Sequence, residues 1–374
     1  MELRILNTEF QDVDIIDSYE SLIWTERYRE CGDFELCTSM SHPYVSNLMP
    51  GYYLTLLDSD HTMIIEDLDI KADPENGAKL IVTGRSLESI LDRRIAWYAY
   101  VIEGNVQSKI ESLFWYNIGE GAYIRYNDVT YNRRVSNFVF QNTTDPAVAD
   151  LTCERTNLRG ENLYNIVSVI CKEKHLGFRI VLNSDNQFVF SFYSGVDRSY
   201  NQNERPYVVF SPNYDNLASS NYVEKTSPHK NAALILGAKT VHPTSNEETD
   251  TRSLIGDAAG LDRREIFVDA TKVSTTYEND NGKEATYTRD EYIPLIEAKA
   301  YEALAKNVKI VTFDGECETT STYRYRQDFG MGDIVQIEDE YGHQATSRVV
   351  ELIRSSDSSG EYAYPTFESI EEGE

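Results

Sequence analysis

Positive charge is scarce in this chain: 35 Lys and Arg stand against 62 Asp and Glu, a formal net charge of −27 at pH 7 over 374 residues. Binding nucleic acid through its phosphates needs clustered Lys and Arg, so stable nucleic-acid binding is not expected, and an anionic membrane surface is disfavoured as well. Acidity by itself keeps a protein soluble. It would also suit a lining past which DNA slides without sticking. Long apolar runs are missing too: no stretch approaches the ~20 apolar residues of a membrane span, and the first residues do not resemble a signal peptide. Cysteine is sparse. Cys31, Cys37, Cys153, Cys171 and Cys317 form no CxxC pair, and an odd number without a framework fits reduced thiols and assembly in a cytoplasm.

The motifs of catalysis are equally thin. The six histidines, His42, His61, His175, His229, His242 and His343, include no pair at i, i+4 and complete no Cys/His set with zinc-ligand spacing. Gly84-Arg85-Ser86-Leu87-Glu88 lacks the second glycine of a nucleophile elbow. Gly330-Met331-Gly332 is a fragment of a nucleotide loop, but strand-like sequence follows it where a helix is needed. Glu278-Asn279-Asp280-Asn281-Gly282 looks like a calcium loop until Gly282 is set at the sixth position. That puts Tyr277 and Thr288 where carboxylates are required, and a polar turn is the better reading. Nothing selects a glycosidase pair from the abundant carboxylates. No catalytic residue, metal ligand or cofactor is expected, and the chain is not read as an enzyme.

What is present is tyrosine and a repeat. There are 26 Tyr against 14 Phe; a tyrosine ring packs on a half-buried strand while its hydroxyl stays hydrated or bonded. Gly32-Asp33-Phe34-Glu35-Leu36 leads to Gly51-Tyr52-Tyr53-Leu54-Thr55-Leu56 and then to Ile64-Ile65-Glu66. Far downstream, Gly315-Glu316-Cys317-Glu318-Thr319 leads to Gly332-Asp333-Ile334-Val335-Gln336-Ile337 and then to Val349-Val350-Glu351. The two glycines are 19 residues apart in one copy and 17 in the other. Either a β module is duplicated, or strands bounded by Gly and Asp turns look alike by chance.

A chain of 374 residues suggests two to four modules. Residues 1–95 read as short strands separated by turn clusters, a small barrel or sandwich closed by a short helix with Ser86 as N-cap. Residues 96–200 read as an α+β module. Its helices are expected at Val106–Ile118 and at 162–176, where Leu163, Ile166, Val167 and Ile170 make one apolar stripe. A hairpin follows, with Phe178, Ile180 and Leu182 alternating on one strand and Phe188, Phe190 and Phe192 on the next. Residues 201–245 and 308–374 read as a second β region, interrupted by a polar and helical insert at 246–307 whose helix is expected at Glu291–Asn307, with Pro294 in its first turn. The fold class is α+β, mainly β, with two related β-barrel domains and α+β inserts.

Arginines cluster with acids beside glycine at Gly84-Arg85, Asp92-Arg93-Arg94, Gly195-Val196-Asp197-Arg198 and Gly260-Leu261-Asp262-Arg263-Arg264-Glu265. Guanidinium forks bind carboxylates bidentately and suit ties between modules or protomers, whereas an exposed pair contributes only ~0–1 kcal/mol. The interface candidates among them are Arg85, Arg93, Arg94, Asp197, Arg198, Asp262, Arg263, Arg264 and Glu265.

These landmarks carry a resemblance. Ser21-Leu22-Ile23-Trp24-Thr25-Glu26-Arg27-Tyr28 followed by Gly32-Asp33-Phe34-Glu35-Leu36 resembles the opening of siphophage tail-tip hub proteins. The later Gly-Arg and Asp-Arg clusters and Gly332-Asp333-Ile334-Val335 fall in that family's order over nearly the whole chain. The family is the N-terminal hub part of phage tail-associated lysins, similar to the baseplate hub of contractile phages. The resemblance implies a homotrimer in which two β-barrels per chain make a pseudo-sixfold ring at the virion tail tip, and it adds Trp24, Arg27, Gly32, Phe34, Gly332, Asp333 and Arg348 as ring or interface candidates. It implies docking on the distal tail protein or tail tube, contact with the tape measure protein, and a platform for tip fibre or receptor-binding components. Many relatives continue into lytic domains; this sequence stops soon after Tyr364-Pro365-Thr366-Phe367, so lytic activity is not expected to carry over. A glycan hydrolase, a host-glycan binding module, and the hub of a contractile injection device or tail-like bacteriocin remain the alternatives.

Overall fold

A computed structural model describes residues 1–73, 77–245, 247–278, 283–307, 310–317 and 322–370. Alternation builds its strands. Along Ser21–Arg27, Leu22 and Trp24 are buried while Ile23 faces out; along Asp33–Ser39, Phe34, Leu36 and Thr38 are buried while Glu35 faces out. The two strands pair with Trp24 opposite Phe34 and Leu22 opposite Leu36, so the apolar sets share one face.

These strands belong to an eleven-stranded sheet. Its order runs from Val209–Phe210 through Ile334–Glu338, Gln344–Asp357, Ser21–Arg27, Asp33–Ser39, Gly77–Ser86, Thr62–Asp73, Tyr53–Leu56 and Leu3–Leu6 to Asp12–Ile16, with Gly360–Ser369 paired to Gln344–Asp357. The fold is mostly β, as the alternation implies. The expected pair of separate barrels takes another form. Glu351 pairs with Arg27 and Ser356 with Leu22, which joins the two β regions, and among the described residues the strand order has two ends and does not close.

A first core lies under the N-terminal strands, with Leu3, Ile5, Trp24, Phe34, Leu54, Met63 and Val82 among its members. A second gathers helices Val106–Asn117 and Leu163–Glu173 against the hairpin Gly177–Leu182 and Phe188–Tyr193. Each fully buried Leu, Ile or Phe there contributes roughly 1.5–3 kcal/mol. Both helices start on an asparagine cap: Asn105 accepts from the Ser108 N–H, and Asn162 from the Tyr164 and Asn165 N–H groups. The stripe Leu163, Ile166, Val167 and Ile170 is buried, and the hairpin pairs Phe178 with Phe192, Ile180 with Phe190 and Leu182 with Phe188. Ser86 is different. It precedes a 3-10 helix, Leu87–Arg93, without capping it, because its hydroxyl accepts from the Gly32 N–H at 2.7 Å.

The described chain divides into two compact units, Met1–Asn221 with Phe313–Ile370, and Tyr222–Thr312. The insert therefore starts near 222, not 246. The reason is pairing: Ala232–Val241 is the central strand of a sheet with Glu248–Ile255 and Glu265–Ala270, and helix Arg289–Ala305 packs on it through Tyr292, Ile296 and Ala300. That helix begins earlier than expected because Thr288 and Glu291 form a capping box, which leaves Pro294 inside the helix and past its first turn. Residues 279–282 of the calcium-like turn and Glu318-Thr319 of the second repeat lie outside the described residues.

The repeat survives in backbone detail. Gly51 donates to the Ile65 carbonyl at 2.8 Å and Ile65 to that of Tyr52 at 2.8 Å; Gly332 donates to Val349 at 2.8 Å and Val349 to Asp333 at 2.9 Å. Both glycines sit at positive φ, +89° and +88°. Tyr53 then pairs with Ile64 as Ile334 pairs with Arg348. In both copies the register shifts at the next turn of the pattern, around Glu66 between Ile65 and Asp67, and around Val350 between Val349 and Glu351. Beyond the bulge each middle strand runs on to an aspartate, Asp73 or Asp357, that pairs with a glycine across the hairpin. We call Tyr53–Leu56, Thr62–Asp73 and Gly77–Ser86 the first arm, and Ile334–Glu338, Gln344–Asp357 and Gly360–Ser369 the second.

Candidate interface residues

Most of the arginines proposed from sequence tie one stretch of this chain to another. Arg27 donates through Nη1 to Asp33 Oδ2 at 2.6 Å and through Nε to Glu351 Oε1 at 2.7 Å, bracing the first β region against the second arm. Arg198 Nε meets Asp333 Oδ2 at 2.8 Å, and the same carboxylate accepts from the Val196 and Gly330 N–H groups at 2.8 and 2.9 Å. Asp197 forms a bridge with Ile334 and accepts from the Ser199 N–H at 2.8 Å. Arg348 is buried; it donates to the Gly332 carbonyl at 3.1 Å, with its guanidinium 5.8 Å from the Tyr28 ring centroid. Gly332 needs its missing side chain twice over, for its positive φ and because a Cβ would lie 2.4 Å from that ring.

Trp24 and Phe34 pack inside the core, ring centroids 6.2 Å apart, and so serve the fold rather than the surface of the chain. Gly32 allows close passage of Thr25, whose carbonyl oxygen would sit 2.3 Å from an added Cβ.

Arg85 grips Glu66 with both prongs, Nε to Oε2 at 2.8 Å and Nη2 to Oε1 at 3.0 Å, and reaches Asp92 Oδ2 at 3.1 Å. Arg93 Nη2 adds a longer contact to Glu66 at 3.4 Å. Arg94 turns away, donating to the Arg133 carbonyl at 3.0 Å, and burial lowers its pKa. The hydrogen bonds from Arg85 hold the Glu66 carboxyl below its ordinary 4.5. A depressed carboxylate stabilises the fold above its unfolded pKa and loses that contribution as pH falls through the folded one. Glu66→Gln is therefore expected to be less stable than the parent at pH 7, with the gap narrowing as the pH drops below 4.5. Urea midpoints at pH 7 and pH 3 measure this, and a gap that widens in acid would refute it.

In the other unit, Arg263 Nε pairs with Glu265 Oε1 at 2.7 Å and its Nη1 bonds the Gly256 and Ala258 carbonyls at 3.1 Å each. Arg264 bonds the Thr226 carbonyl, and Asp262 offers its own carbonyl to Asn231 Nδ2 at 2.7 Å. Leu261 between them is wholly exposed.

Sequence reasoning missed two features. Glu26 and Glu88 are buried around His61, whose ring nitrogens lie 3.9 and 3.8 Å from their oxygens. Glu26 also accepts from Ser59 Oγ at 2.6 Å and Tyr325 OH at 3.3 Å, beside a cavity of about 220 Å³. Nothing in the local sequence marks these acids, whose partners are remote. The second is a run of exposed aromatics, Trp97, Tyr98, Trp115, Tyr116, Tyr123, Tyr126 and Tyr131. The excess of tyrosine was its only signal.

Over residues 2–367 the sequence matches the family described as Siphovirus ReqiPepy6 Gp37-like protein. The chain belongs to that family. No curated protein matches it in sequence. Among solved structures it is similar to the 43 kDa tail protein of prophage MuSo2 from Shewanella oneidensis, with TM-score 0.56, 10% identity and 98% of both chains covered. It is similar to a tail protein from Neisseria meningitidis MC58, with TM-score 0.55, 12% identity and 98% and 96% covered. It is also similar to the prophage tail protein gp18 from Listeria monocytogenes EGD-e, with TM-score 0.54, 9% identity and 100% and 96% covered. The siphovirus family thus shares its fold, end to end, with phage tail proteins.

Proposed function

We propose that this protein is the structural hub of a siphophage tail tip, a trimer whose two related β arms per chain make a pseudo-sixfold ring. The observation that carries the reading is the repeated arm, matched in its positive-φ glycine, its hydrogen bonds, its bulge and the run from bulge to hairpin, Asp67–Asp73 in one and Glu351–Asp357 in the other. Three chains with two like modules each present six like faces, which is what a sixfold tube meeting a threefold tip requires. On one side the ring meets the distal tail protein or tail tube and the tape measure protein. On the other it carries the tip fibre or receptor-binding components. The net charge of −27 per chain supports a passage that repels DNA phosphates. The role is architectural rather than enzymatic, with the virion tail tip as its location and the host cytoplasm as the place of assembly. The hub of a tail-like device would use the same ring.

The tyrosines fit this role, since the exposed rings of 97–131 and Leu261 offer the amphipathic surface that contacts between subunits use. The expected result is a threefold particle with six like lobes, seen by native mass measurement of the purified protein and by imaging of assembled tails. A chain that stays monomeric alone and is absent from assembled tails would sink the proposal.

A further inference from the structure

We propose that Asp67–Ala72, the outer half of the middle strand in the first arm, is an open sheet edge that receives strand Leu217–Lys225 of a second copy of this chain. The inference rests on the ring proposed above and names the contact that closes it. The two arms supply the argument. Asp67 corresponds to Glu351 and Leu68 to Leu352, counting from the matched bulges at Glu66 and Val350.

In the second arm this stretch is paired on both sides. Glu351–Ser356 bonds to Gly360–Ser369 on one side and to Ser21–Arg27 on the other, in the register Glu351 to Arg27, Leu352 to Glu26 and Ser356 to Leu22. Leu352 is accordingly 0% exposed. In the first arm, Asp67–Asp73 pairs with Gly77–Thr83, and among the described residues no strand lies on its other edge. Leu68 is 39% exposed and Ile70 59%. An unpaired edge carrying two large apolar side chains, with no proline or bulge along it, is the kind that takes up another strand.

The occupant follows from the same correspondence. The strand that covers the second arm, Ser21–Arg27, is the one that precedes Asp33–Ser39 and pairs with it. The second copy of the repeat opens with Gly315-Glu316-Cys317 at the end of strand Ile310–Cys317, and the earlier strand that pairs with it is Leu217–Lys225, in a two-stranded sheet of its own. Within one chain the first module lends its strand to the second arm. Between chains the second module lends its strand to the first arm of the next copy. Such a contact is head-to-tail, and it closes into a ring when the rotation between copies allows.

The test uses the full chain and the double variant Leu68→Lys, Ile70→Lys, which places charge on two exposed side chains. Wild type is expected to sediment as the oligomer with slowly exchanging amides at 67–72. The double variant is expected to keep its circular dichroism, to exchange quickly at 67–72 and to associate about tenfold more weakly or worse. If the variant does not fold, exchange in the wild-type oligomer decides alone. Fast exchange at 67–72 in an intact wild-type trimer, or a variant that assembles as well as wild type, overturns the edge contact and leaves the trimeric hub standing. A wild-type chain that never assembles overturns the hub reading itself.

Discussion

Tyr28→Ala is expected to lower the free energy of unfolding by about 3–5 kcal/mol. Tyr28 follows the strand Ser21–Arg27 and is fully buried. Its ring meets Tyr193 edge-on at 5.3 Å between centroids and lies under the guanidinium groups of Arg29 and Arg348 at 5.4 and 5.8 Å. Two glycines press on it so closely that a Cβ at Gly177 or Gly332 would fall 2.3 or 2.4 Å from ring atoms. Its hydroxyl donates to the His175 carbonyl at 3.1 Å, its N–H to that of Val350 at 2.8 Å, and its own carbonyl accepts from the Phe178 N–H at 3.1 Å. One residue thus links the first β region, the α+β region and the second arm. Backbone glycines cannot move in to fill the space, so truncation leaves a cavity and two buried cations without their ring. Tyr28→Phe removes only the hydroxyl and is expected to lose about 1 kcal/mol. Denaturant titrations compare the three proteins, and a loss under about 1 kcal/mol for the alanine variant would show that the site collapses freely.

The second large effect is expected at Asp333. The residue is 5% exposed, and its carboxylate accepts from two backbone N–H groups and Arg198. Asp333→Ala strands all three donors, and breaking a buried, hydrogen-bonded charge pair in this way is expected to lower stability by about 3–5 kcal/mol. The loop 195–198 would come loose with it, although Ile334 still donates to the Val196 carbonyl at 3.0 Å and Arg198 to the Ile334 carbonyl at 2.8 Å. Asp333→Asn keeps one acceptor oxygen and is expected to lose less. A cycle combining Asp333→Ala with Arg198→Ala isolates the pair, since residues in contact do not add. Strict additivity would mean that the two do not interact, contrary to the 2.8 Å separation.

Local periodicity made several elements legible. Leu163, Ile166, Val167 and Ile170 could bury together only as a helix, and the facing triplets Phe178-Ile180-Leu182 and Phe188-Phe190-Phe192 only as a hairpin. The repeated glycines were legible because a positive-φ turn selects that residue. Pairing between distant strands was not. Glu351 meets Arg27 across the sheet, and no local signal announces a contact between residues so far apart, so two barrels were expected where one sheet runs through both regions. Ala232–Val241 showed the same limit in reverse: its alternation says strand, while its partners decide which unit it joins. The arginines followed suit. Arg85 has Asp92 nearby in sequence, yet its bidentate partner is Glu66, and Arg198 chooses Asp333 over its neighbour Asp197. Charge type was readable; the address of the opposite charge depended on the folded sheet.

The position of the insert has a consequence of its own. In the first copy, Ser21–Arg27 turns into Asp33–Ser39 through a handful of residues; in the second, Leu217–Lys225 and Ile310–Cys317 are likewise partners, but residues 226–309 stand between them in sequence. Paired strands run about 4.8 Å apart. Any folded segment whose two ends lie that close can be spliced into the same opening without altering the register around it. The turn is therefore a socket, in which one folded cassette can be exchanged for another while the strands that carry it stay as they were.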